Sequence, residues 1–117
     1  ILHDGSCHWF TLTNLKSNNR YQVQAYDSLY QDTTYLNNLS FKNCLSKLLK
    51  KDLQYSPNQK NDNLVECSIE PVQRQNDALM CGLFAIAFAY DLCRSVDPID
   101  QFYDVEKMRE HLLKCLK

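Results

Sequence analysis

The sequence predicts one α+β domain: a β-hairpin and one further strand, with helices packed around them. Three observations carry this. Two alternating runs rich in aromatic and β-branched residues flank an Asn-rich turn, apolar residues recur at helical spacing in two later segments, and a third segment is apolar nearly all round.

Residues 6–14 (SCHWFTLTN) have strand composition, residues 16–19 (KSNN) have turn composition, and residues 20–26 (RYQVQAY) alternate as a returning strand. Together they predict a hairpin over about residues 6–27. Residues 35–50 read as a helix, because Phe41, Cys44, Leu45 and Leu48 fall at i, i+3, i+4 and i+7; Asn37 and Asn38 are poor helix formers near its start. Residues 56–63 are loop-like. Residues 64–69 (LVECSI) form a strand ended by Pro71, expected to join the hairpin in a small antiparallel sheet. Residues 81–94 predict a central buried helix, broken by Asp97 and Pro98. A last amphipathic helix spans residues 105–116, with Asp104 as N-cap and Val105, Met108, Leu112 and Leu116 on one face.

A length of 117 residues suits one domain, and 44% hydrophobic with 23% charged residues is ordinary for a globular chain. The net charge of −1 offers no basic field to a nucleic acid or an anionic membrane, and residues 47–51 (KLLKK) read as a solvated helix end. No targeting signal stands at the start, and the longest uncharged run, residues 78–90, is too short to span a bilayer. A start at Ile1, close to strand-like sequence, suggests a piece of a longer domain. The six cysteines (7, 44, 67, 81, 93 and 115) include no CxxC pair, and several lie in apolar patterns, which predicts mostly reduced thiols in an intracellular protein.

The hairpin brings two chemically useful residues together. With a two-residue turn at Ser17 and Asn18, His8 lies directly opposite Asp27; with the turn at Asn18 and Asn19 they are diagonal neighbours on the same face. Either register lets the carboxylate orient the imidazole and stabilise its charged form. Cys81 opens the apolar helix, where the positive end of the helix dipole and its N–H groups favour a thiolate. Gly82 follows and allows close backbone approach. The Cys81 N–H and the side-chain amide of Gln75, six residues earlier, are candidate donors to an oxyanion. Taken singly, each has an ordinary structural alternative: Cys81 a packing residue, His8 a hydrogen-bonded strand histidine, Asp27 a cap, Gln75 a loop residue. It is their combination, in an order one fold can satisfy, that points to nucleophilic catalysis.

His8 and Trp9, then Tyr26, Asp27 and Ser28, then the run from Gln75 through Cys81 and Gly82, resemble the ubiquitin-like-protein protease family, the SUMO-specific cysteine proteases. The last helix, with Arg109 near its middle, resembles that family's C-terminal part. The resemblance implies a papain-like architecture of the ubiquitin-like-protease type, with residues 1–117 forming one catalytic domain lacking its N-terminal part. It implies a peptidase or isopeptidase that cleaves after the C-terminal Gly-Gly of a SUMO-like modifier through a thioester. Cys81 would be the nucleophile, His8 the base, Asp27 its orienter, and Gln75 with the Cys81 N–H the oxyanion hole. Trp9 would close over the narrow Gly-Gly tail, or serve simply as a core aromatic. No cofactor or metal is implied, and the expected partner is the modifier or its conjugates, met by a monomer in nucleus or cytoplasm. Met80 stands where the family commonly has Asp, and Ala78 where it has Gly; neither is a proton-transfer group, so altered loop packing is expected rather than lost chemistry.

Two other classes compete. One is a non-catalytic relic that holds a modifier or partner without cutting it. The other is zinc binding through His3, Cys7, His8 and Cys67, disfavoured because strand neighbours Cys7 and His8 would point to opposite faces.

Overall fold

The computed structural model of the protein describes residues 1–16, 22–32, 38–49 and 66–117. They form an α+β domain with a four-stranded mixed sheet and three helices. In chain order these are β1 (Leu2–His3), β2 (Trp9–Thr13), β3 (Gln22–Tyr26), α1 (Leu39–Leu49), β4 (Glu66–Glu70), α2 (Cys81–Cys93) and α3 (Val105–Cys115), with a 3₁₀ turn at Pro98–Asp100 before α3. The strands lie in the order β1-β2-β3-β4.

The hairpin is present, and its register distinguishes the two alternatives. Thr11 faces Tyr26, Leu12 faces Ala25 and Thr13 faces Gln24, as a two-residue turn at Asn18 and Asn19 requires. The turn residues themselves lie outside the described residues, as does the expected loop at residues 56–63. Two expectations need correction. The first hairpin strand starts at Trp9, not at residue 6, because the chain before it folds back as the separate strand β1, which pairs antiparallel with β2. The sheet is also not all antiparallel, since β4 runs parallel to β3 from Gln22↔Glu66 to Tyr26↔Glu70. The chain between β3 and β4 includes α1, and a crossover of that length brings the strand back in the same direction.

Helices cover both faces of the sheet. On one face Phe10, Ala25, Phe41 and Leu45 form a buried cluster, with Leu2, Leu12, Cys44, Cys67 and Ile69 packed around it. The helical spacing of Phe41 and Leu45 aims both at the strands, and burying each contributes about 1.5–3 kcal/mol. Asn38 is the start signal of α1: its side-chain oxygen accepts the Ser40 and Phe41 N–H groups at 2.9 and 3.3 Å. On the other face Tyr26, Val72, Phe84, Phe88 and Tyr103 form a second cluster, built on α2 and the segments flanking it. The alternation of the strands serves both layers, because Phe10 and Ala25 belong to the first cluster and Tyr26 to the second.

Helix α2 is less enclosed than its all-round apolarity predicts. Cys81, Phe84, Ala85 and Phe88 are buried, but Ile86 and Tyr90 are exposed on the side toward α3. In α3, Asp104 caps as expected, accepting the Glu106 and Lys107 N–H groups. Val105, Met108 and Leu112 are half-buried, whereas Leu116 lies beyond the last helical turn and is exposed.

Candidate functional site

His8 sits where the β1–β2 loop meets β2, and Asp27 directly follows β3. The diagonal offset brings them into contact: His8 Nε2 lies 2.7 Å from Asp27 Oδ2, with both residues buried. The other Asp27 oxygen accepts the N–H groups of Leu29 and Tyr30, each at 2.8 Å. A carboxylate is only an acceptor, so the bond to Nε2 calls for a proton on that nitrogen and makes Nδ1 the basic one. The Tyr30 ring meets the imidazole edge-on at a centroid distance of 5.0 Å, and Phe10 stacks against it at 6.3 Å.

Cys81 is the first residue of α2, and no side chain caps that helix end. The residue is buried, and its Sγ rests 3.9 Å from the carbonyl oxygen of Cys7, one peptide bond from His8. The thiol of the helix thus rests on the backbone of the residue that precedes His8. Trp9 lies beside them, exposed and packed on Gly82, with the His3 ring 4.6 Å away on its other flank. A Cβ on Gly82 would meet the indole at 3.7 Å, ordinary van der Waals contact, so packing does not demand a glycine there.

Gln75 is held from three directions. Its Oε1 accepts the buried Ser28 hydroxyl at 2.5 Å, its N–H donates to the Ser28 carbonyl at 2.9 Å, and its Nε2 donates to the Asp77 carbonyl. An amide nitrogen has two N–H groups, and Asp77 takes one, so the second is the donor an oxyanion role would use. Met80, just before Cys81, receives the Arg109 guanidinium from α3, with Nη2 3.3 Å from Sδ; the other arm of Arg109 pairs with Glu106 at 2.8 Å.

Two neighbours of His8 carry no signal in the expected catalytic pattern. Tyr30 covers the imidazole. Asp4, buried in the β1–β2 loop, accepts three hydrogen bonds on Oδ1, one of them from the His8 N–H. Burial pushes the Asp4 carboxyl up, but the bonds from Ser6 and His8 and the nearby imidazole outweigh it and hold the carboxyl below its ordinary range. The run Asp4-Gly5-Ser6 could have pointed to it, since an Asp followed by Gly is a common side-chain-closed turn.

All six cysteines are free. Among the described residues no group of three or more His, Cys, Asp or Glu side chains is placed to hold a metal ion. Of the residues considered for zinc, His3 accepts the Gly5 N–H and His8 is taken by Asp27, while half-buried Cys67 lies on β4 at the opposite edge of the sheet from β1. Its thiol is pushed up to about 12, by burial first and by Glu70 second. Among the described residues no helix is long and apolar enough to cross a membrane. No protein-family model matches the sequence, and no curated protein matches it either.

Proposed function

We propose that this chain is the catalytic part of a cysteine peptidase or isopeptidase of the ubiquitin-like-protein protease type, acting on a SUMO-like modifier or its conjugates inside the cell, in nucleus or cytoplasm. The observation that carries the proposal is the buried His8–Asp27 pair at 2.7 Å beside a thiol that opens an uncapped helix. An orienting acid, a base and a nucleophile on three separate segments are the parts that acyl transfer through a thioester needs.

In this mechanism His8 Nδ1 takes the Cys81 proton, and the thiolate attacks the carbonyl carbon of the modifier's terminal glycine. The tetrahedral oxyanion faces the Cys81 N–H and the second amide N–H of Gln75, at the positive end of α2. The intermediate collapses to a thioester, the C–N bond breaks, and the imidazolium gives its proton to the leaving amine. Water, deprotonated by His8, then cleaves the thioester and regenerates the thiol. Asp27 keeps the ring in the tautomer that this sequence requires. Trp9, packed on Gly82 beside the nucleophile, supports a narrow approach suited to a Gly-Gly tail. Met80 takes the place of the family's usual Asp, and its thioether meets the Arg109 guanidinium.

The test is an activity probe. A SUMO-like modifier bearing an electrophilic C-terminus, incubated with the protein in its full natural length, is expected to form one adduct, mapped to Cys81 and lost in Cys81→Ala. Absence of any adduct would overturn the proposal. Modifier binding that survives Cys81→Ala, with no turnover by the unmutated protein, would favour the non-catalytic binding class instead.

A further inference from the structure

A second buried carboxylate stands beside the base and has no part in the mechanism above. His3 pairs with Trp9, so Asp4 and His8 occupy the next rung of the β1–β2 ladder, and the Asp4 N–H donates to the His8 carbonyl at 2.9 Å. The return bond of that rung is made by a side chain: Asp4 Oδ1 accepts the His8 N–H at 3.2 Å. The same oxygen accepts the Ser6 N–H at 2.9 Å and the Ser6 hydroxyl at 2.8 Å. Gly5 turns the loop at φ +88°, in the left-handed region that favours glycine. The three-residue loop between Asp4 and His8 is therefore closed on one carboxylate oxygen.

We infer that Asp4 is a positioning residue for His8, its carboxylate fixing the backbone that carries the imidazole and the Cys7 carbonyl against which the thiol rests. The inference rests on the assignment of His8 as the base. Other described groups around the ring have separate places. Asp27 holds Nε2, Cys81 approaches from α2, and Tyr30 presents its ring edge-on from the segment after β3. His3, on β1, packs on Trp9 and accepts the Gly5 N–H. The first turn of α2 has no acidic residue, and Arg109 of α3 is engaged at Met80 and Glu106. Asp4 is thus the acid that approaches His8 from the β1 side, and the bonds that hold its carboxyl below the ordinary range keep it charged at neutral pH.

Asp4→Asn keeps an acceptor for the His8 N–H and removes the charge; Asp4→Ala removes both. The readout is the rate at which iodoacetamide alkylates Cys81, followed by peptide mass mapping so that the other cysteines do not interfere, at pH 6 and at pH 9. A thiolate–imidazolium pair reacts at pH 6, whereas at pH 9 a free thiolate reacts whatever the ring does. The ratio of the two rates is expected to fall about three- to tenfold in Asp4→Ala, which loses the acceptor under His8, and to return close to the unmutated value in Asp4→Asn, which keeps it. A merely structural loop residue would lower stability in a urea melt and leave this ratio unchanged in Asp4→Ala. A wild-type ratio in folded Asp4→Ala overturns the inference alone. An unmutated protein with no reactive thiolate at pH 6 overturns it together with the catalytic proposal.

Discussion

Replacing Asp27 by asparagine is expected to leave the fold nearly intact and to remove almost all turnover. The carboxylate accepts from His8 Nε2 at 2.7 Å and from the Leu29 and Tyr30 N–H groups at 2.8 Å each. In Asp27→Asn the amide oxygen keeps the two backbone bonds, and the amide N–H₂ faces Nε2. That nitrogen must then accept, so the ring proton moves to Nδ1, the atom that takes the thiol proton in the proposed mechanism. An Asp-to-Asn exchange that traps the wrong tautomer lowers the rate by about 10⁴, or roughly 5.5 kcal/mol of transition-state stabilisation. The stability loss should stay within about 1–2 kcal/mol, because only one bond changes character and a buried charge is removed. Asp27→Ala should behave differently: it leaves three donors without their acceptor and should cost about 3–5 kcal/mol, a large share of the roughly 5–15 kcal/mol available to a domain. Urea melts measure stability, hydrolysis of a modifier C-terminal amide measures kcat, and ¹⁵N-resolved imidazole spectra identify the protonated nitrogen. Turnover by Asp27→Asn within tenfold of the unmutated protein, with the proton still on Nε2, would refute the reasoning.

Three further expectations follow from the geometry. Gly82→Ala should raise the melting temperature, stabilising α2 by about 0.5–1 kcal/mol, because the added Cβ meets Trp9 only at ordinary contact distance; a lower melting temperature would show that packing needs the glycine. Thr11→Val should cost about 1 kcal/mol in a urea melt, since it deletes the buried 2.7 Å bond from the Thr11 hydroxyl to the Ala85 carbonyl at nearly constant shape. The carboxyls of Asp4 and Asp97 are both pushed up by burial but more strongly held down, Asp4 by its loop bonds and Asp97 by Lys16 and the Ile99 N–H; both therefore add stability at neutral pH that is lost as pH falls below about 4 and through their folded values, and Asp97→Asn should lose less stability than the unmutated protein between pH 7 and pH 3.

What the sequence revealed and what it hid follow from the range of the forces involved. Strand alternation and an Asn-rich turn are local signals, and they narrow the hairpin to two registers that both put His8 and Asp27 on one face; the structure takes the diagonal one. Caps are equally local: Asp104 was legible, and Asn38, which counted against helix by propensity, is the residue that starts α1, because the same side-chain competition that weakens a helix interior satisfies its first N–H groups. Strand β1 has two residues, too few for any period, so the return of the chain at Asp4 left no trace except the Asp-Gly pair. The parallel partner of β3 was hidden because its direction depends on the crossover rather than on residues 66–70 themselves. The apolar run of α2 predicted enclosure, but apolarity specifies that a face wants cover and not which neighbour supplies it. Ile86 and Tyr90 thus remain exposed beside α3.

The candidate site lies at a seam between the strand layer and a helix, and the proposed mechanism depends on that seam. The imidazole belongs to the strand layer and the thiol to a helix, so their separation is only as fixed as the contact between β2 and α2. Three ties span that contact: the Cys7 carbonyl against the Cys81 sulfur, the Trp9 indole on Gly82, and the Thr11 hydroxyl on the Ala85 carbonyl. They come from alternate residues on one side and from the first five positions of a helix on the other, so sliding either element would break all three together. None of them consumes the helix-start N–H groups. A residue in mid-strand or mid-helix has its backbone groups committed to the ladder or to the i−4 bond, whereas the first residue of α2 keeps an N–H with no intrahelical acceptor. Placing a thiol at a helix start and an imidazole where a loop becomes a strand, as the proposed mechanism uses them, therefore combines a rigid mutual position with a helix-start N–H that has no intrahelical acceptor, an arrangement that acyl transfer would require and that neither element could provide from its interior.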